Sequence, residues 1–160
     1  YLPAHIVWLE LIIHPTTLLV FQELPRNEGR AIGERSSRGF FTPAQWVAIA
    51  VVGALMTAAV FAAYQHGLGL GADYARSAAL THLVFASAAV AAALSRLQTR
   101  TAIIAFAATV LSALVFVQVP ILAGILHLTP LGLIDLIWAT AGAAVVGVAA
   151  LLLRESAAKP

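Results

Sequence analysis

Apolar residues in this chain come in long unbroken runs, without the strict alternation of a half-buried strand. Five runs are long enough to cross a bilayer: 4–22, 46–65, 77–95, 101–119 and 131–153. A hydrocarbon core about 30 Å thick takes roughly 20 residues at about 1.5 Å each. Lipid offers backbone amides no partner, so a run of this length folds as a helix that bonds within itself. The second run carries no charge, and the third to fifth carry no interior Lys or Arg. Between them lie a polar loop at 23–45, a glycine-rich loop at 66–76, a basic turn at 96–100 and a connection at 120–130. The expected architecture is all-α, a single membrane domain of five transmembrane helices spanning 1–160.

Composition agrees with that pattern. Of the 160 residues, 61% are apolar and 10% charged, against roughly half and a quarter in a soluble domain. With no cysteine, disulfide and thiolate chemistry are excluded. Eight of the nine basic residues are arginine, the usage of a GC-rich bacterial genome. The chain opens on Tyr1 and shows no cleavable leader, so a piece of a longer polypeptide is expected.

Charge sets an orientation. With the 23–45 loop cytoplasmic, that side holds Arg26, Arg30, Arg35, Arg38, Arg96, Arg100, Arg154 and Lys159, and the other side only Arg76. The positive-inside rule then places the N-terminus outside and the C-terminus in the cytoplasm, in a multi-pass protein of the plasma (inner) membrane. The loop arginines alternate with Glu23, Glu28 and Glu34, a solvated mixed-charge pattern with no nucleic-acid footprint.

Small residues recur at spacing four in two runs: Ala50, Ala54, Ala58 and Ala62 in the second, and Ala139, Ala143 and Gly147 in the fifth. Such stripes let helix backbones approach closely, so both are expected at helix contacts. Thr129 followed by Pro130 reads as an N-cap with proline at the first helical position of the last helix.

The first run carries the chemistry. In "IVWLELIIHPTTLLVF", Glu10, His14 and Thr17 fall on one helix face. Pro15 has no N–H for the Leu11 carbonyl and its ring pushes that carbonyl aside. A carboxylate, an imidazole and a freed carbonyl at a helix break form the kind of site that discontinuous membrane helices offer a cation. A charge at mid-bilayer costs about 2.5–3.5 kcal/mol on insertion scales, so it faces a cavity or a partner. The plainer reading is a protonated Glu10 bonded to a neighbouring helix beside a proline kink. His5, His66, His82 and His127 fall toward the outer side, where they read as interfacial or packing residues, or as ligands to a transition metal. Asp135 suits a helix N-terminus, and Arg76 the outer end of its helix.

Three segments resemble a known family. "PAHIVWLELIIHPTTLLVFQ" resembles the sixth membrane helix of bacterial type II cation-transporting P-type ATPases. "ARSAALTHLVFASA" is similar to their eighth helix, and "VFVQVPILAGILHLTPLGLIDLIWA" to the stretch from the ninth to the tenth. The resemblance implies the C-terminal membrane region of such a pump, with Glu10 and His14 where the family has a ligand asparagine and aspartate. Ile13 replaces a threonine that often assists, and Ser87 stands for an eighth-helix glutamine or glutamate ligand. Calcium favours several hard oxygens, whereas a Glu–His pair suits a proton-coupled or softer cation site, so the ion stays unnamed. The resemblance also implies ATP and Mg in the intact pump, and as partners membrane lipid, the transported cation, and upstream helices and cytoplasmic ATPase domains of the same polypeptide. The 160 residues hold no phosphorylation motif, so hydrolysis is not expected of this chain alone. Two other readings stand beside it: a stand-alone five-span protein binding metal or haem through its histidines, and a purely structural membrane subunit.

Overall fold

The computed structural model describes Ile6, Glu10 and residues 43–157. Every element among them is helical: α1 (Pro43–Leu68), α2 (Ala72–Ser95), α3 (Arg100–Gln118), the short α4 (Pro120–Ile125) and α5 (Leu133–Ala157). Four of these, α1, α2, α3 and α5, are long and apolar enough to cross a membrane. The first expected span, 4–22, lies outside the described residues apart from Ile6 and Glu10. Both are helical in backbone and exposed.

α2 is the least apolar of the four spanning helices and the most buried. It packs against α1, α3 and α5, and α1 also touches α5. Its alanines explain the apparent paradox. Large aliphatic side chains are as comfortable in lipid as in protein, so the central helix is selected for small residues that admit close neighbours. The long side chains point outward instead: Ile103, Ile104, Leu111, Ile134, Ile137, Trp138 and Leu152 are all exposed.

Close approach is explicit at two glycines. A Cβ on Gly67 of α1 would stand 2.6 Å from Ala75 Cα of α2, and one on Gly147 of α5 would stand 3.2 Å from Ala89 Cβ. Ala139 and Ala143, with Gly147, are buried as their spacing predicts. The other stripe has a different fate: Ala50, Ala54, Ala58 and Ala62 are all exposed, because α1 turns its opposite face, with Met56, Ala59 and Ala63, toward the bundle.

The connection after α3 is built rather than loose. α4 ends in a Schellman turn, His127 N–H donating to Gly124 O (3.2 Å) and Leu128 N–H to Ala123 O (2.8 Å). His127 takes the left-handed position, φ 49°, which glycine usually fills. The cap expected at Thr129 and Pro130 is not there, since the helix starts at Leu133. Thr129 N–H donates instead to Ser77 Oγ of α2 (2.8 Å), and Gln118 Nε2 donates to Leu131 O (2.9 Å). These bonds hold residues 129–131 against the bundle. Gly132 is the cap: its carbonyl accepts from Leu136 N–H (3.2 Å), and its N–H donates to Asp135 Oδ2 (3.1 Å). That is the acidic half of a capping box.

Candidate functional site

Of the residues expected to line a cation path, Glu10 is helical and exposed. Leu11, His14 and Thr17 lie outside the described residues. Ser87 can be placed in detail. Leu83, Val90 and Leu94 share its side of α2 and are half-buried like it, while Leu80, two turns back on that side, is fully buried. Ser87 lies 15 residues into the helix, about 22 Å from its start.

Two sets of polar contacts set the rotation of α2 and hence the direction Ser87 faces. At the start of the helix, the Tyr74 hydroxyl donates to Asp135 Oδ2, the same oxygen that caps α5. Ser77 Oγ donates to Asp73 O (3.0 Å) while accepting from Thr129 N–H. At the far end, Arg154 Nη1 donates to Ala93 O (3.3 Å) and Leu94 O (2.9 Å). A cation here satisfies carbonyls that a helix C-terminus leaves without intrahelical donors. Arg96 Nη2, just past the helix, meets Glu155 Oε1 at 3.1 Å. α2 and α5 therefore run parallel and are tied together at both ends.

Between the ties, His82 Nδ1–H donates to Ala78 O (2.9 Å), one turn back on its own helix. A Cβ on Gly142 of α5 would lie 3.7 Å from His82 Cδ2 and 4.0 Å from Ala59 Cβ of α1. His82 thus fills the junction of three helices, about 15 Å below the start of α2 and deeper than the outer position expected from sequence. His66 and His127 are exposed near the ends of α1 and α4, and His5 lies outside the described residues. Among the described residues, no three His, Asp or Glu side chains gather as metal ligands would. Arg76 Nη1 meets Asp73 Oδ1 at 2.6 Å within the first turns of α2.

Sequence reasoning placed Asp135 at a helix start but missed its tie to Tyr74, 61 positions away. It also missed the two Arg154 bonds. No local signal announces either pairing.

The order of helices, the exposed aliphatic surface and the alanine-packed interior are those of a polytopic membrane domain. Residues 1–155 match the family described as Cation transporting ATPase, C-terminus. The chain belongs to this family. It is the C-terminal membrane region of a cation-transporting P-type ATPase, as the resemblance implies. Neither a curated protein nor a solved structure matches the chain.

Proposed function

We propose that the chain forms part of the cation path of its pump, with ligands from the proline-broken helix at 4–22 completed by Ser87. The observation that carries this reading is the family match over residues 1–155, with Ser87 half-buried on the central helix and not sealed in the core. The run at 4–22 is the remaining span-length stretch, and its Glu10, His14 and Thr17 need a polar partner or a cavity to offset the cost of burial in lipid. In this reading the Leu11 carbonyl, freed by Pro15, is a fourth ligand. ATP and Mg act on cytoplasmic domains encoded upstream, and the end carrying Arg96, Arg100 and Arg154 faces the cytoplasm across the plasma membrane.

The test uses the intact pump. Glu10→Gln and His14→Ala each remove a ligand whose charge-assisted bond is worth about 1.5–3 kcal/mol, so the cation concentration for half-maximal ATPase activity rises about 10- to 100-fold. Membrane insertion is checked by fractionation. Activation curves that superimpose on the parent for both variants refute the site.

A further inference from the structure

On the reading of Ser87 as a cation ligand, on which this inference rests, we propose that Tyr74 and Asp135 are positioning residues: their bond sets the rotation of α2 that aims Ser87. The Tyr74 hydroxyl donates to Asp135 Oδ2, and the Gly132 N–H donates to the same oxygen. One carboxylate oxygen thus caps α5 and ties it to α2. Among the described residues, this is the one side-chain bond between the two helices at this end, since Ser77 reaches Thr129 of the connection before α5. Both Tyr74 and Asp135 are half-buried. Neither bond needs a charge on Asp135, because a single oxygen accepts both, and the amide oxygen of asparagine has the same two lone pairs.

Tyr74 stands 13 residues before Ser87, about 20 Å along the helix. Around Ser87 the surface of α2 is mostly alanine: Ala86, Ala88, Ala89, Ala91, Ala92 and Ala93. There α2 meets α5 through Ala89 against Gly147, with no side chain longer than a methyl. Contacts this small let helices come close but offer few knobs to lock one rotation. A bond at the tip of the tyrosine ring acts far from the axis of α2, so it resists rotation with a long lever. At the far end the ties are long arginine side chains, and those of Arg154 go to backbone carbonyls near the axis, so they yield to rotation more readily. A turn of about 15° carries an atom about 4 Å from the helix axis through roughly 1 Å. That is twice the tolerance of about 0.5 Å within which a ligand set stays productive.

Two readouts separate the rotation from the ligand role. The chain has no cysteine, so Ser87→Cys gives the full 160-residue chain a single thiol. Its alkylation by N-ethylmaleimide in lipid discs reports how position 87 is presented. Tyr74→Phe keeps the ring and loses the donor, and is expected to speed alkylation. Asp135→Asn keeps the shared oxygen and is expected to match the parent. A Tyr74→Phe rate equal to the parent overturns the proposal, and so does an Asp135→Asn rate that follows Tyr74→Phe. In the intact pump, ATPase activity is titrated with Ca2+, Mn2+ and Zn2+ in turn. Tyr74→Phe raises the half-activating concentration about ten-fold, the low end for residues that orient a metal ligand, and leaves the maximal rate unchanged. On a Ser87→Ala background the same change has no further effect. An equal shift on both backgrounds overturns the proposal, because Tyr74 then acts on something other than Ser87. If Ser87→Ala by itself leaves activation at the parent value, the ligand reading of Ser87 fails, and the alkylation rates still decide whether the tie sets the rotation.

Discussion

Replacing three glycines by alanine, one at a time, tests whether the helices really meet where the backbone places them. At Gly67 the added Cβ would stand 2.6 Å from Ala75 Cα, 3.1 Å from Ala75 N and 3.2 Å from Ala75 Cβ. Most of that obstacle is backbone, which cannot rotate away, so α1 and α2 must separate by about an ångström. Overpacking of this kind costs about 1–3 kcal/mol. The gain in helix propensity from Gly to Ala is at most about 1 kcal/mol, and less than that so near the end of α1. The net is a loss of about 1–2 kcal/mol. At Gly147 the nearest atom is Ala89 Cβ at 3.2 Å, with Ala89 O at 3.4 Å. There a shift of a few tenths of an ångström suffices, and cost and propensity nearly cancel. At Gly53 nothing lies within 4 Å, so alanine gains stability by up to about 1 kcal/mol. The assay is thermal unfolding of the purified chain in detergent, followed by tryptophan fluorescence. A change of about 1 kcal/mol moves the midpoint by roughly 2–4 °C for a chain of this size. The expected order of midpoints is Gly53→Ala above the parent, Gly147→Ala near it and Gly67→Ala below. A Gly67→Ala midpoint equal to or above that of Gly53→Ala would refute the α1–α2 contact.

Two further outcomes follow from single residues. Thr81 Oγ1 is buried with no hydrogen-bond partner, so Thr81→Val removes an unsatisfied hydroxyl and stabilises the chain by about 1 kcal/mol, read by the same melting assay; a lowered midpoint means the hydroxyl is bonded. His127 holds a left-handed backbone at φ 49°, so His127→Gly relieves about 1 kcal/mol of strain and raises the midpoint; a fall shows that the imbalance lies in a contact of the ring.

Sequence pattern reached the helices and stopped short of their arrangement. Long apolar runs with polar or glycine-rich breaks mark membrane helices whatever surrounds them, and the three quoted segments carried the family. Which helix lies at the centre was hidden, because hydropathy rewards long side chains and the central α2 is made of short ones. The two spacing-four stripes make the same point. Ala139, Ala143 and Gly147 are buried, while Ala50, Ala54, Ala58 and Ala62 are exposed among the described residues. Small residues permit a close neighbour without supplying one. Thr129–Pro130 misled because cap propensity is local, and the competing bond from Thr129 to Ser77 spans 52 positions. For the candidate site, helical spacing puts Glu10, His14 and Thr17 on one face, and of these only Glu10 is among the described residues. The half-burial of Ser87 on the central helix required the packed structure.

The double tie between α2 and α5 has a mechanical meaning. Alanine and glycine have no rotamers to redistribute, so the α2–α5 contact lacks the compliance that longer side chains would give. With both ends latched by polar contacts, the pair can neither twist nor slide by small steps. It behaves as a stator.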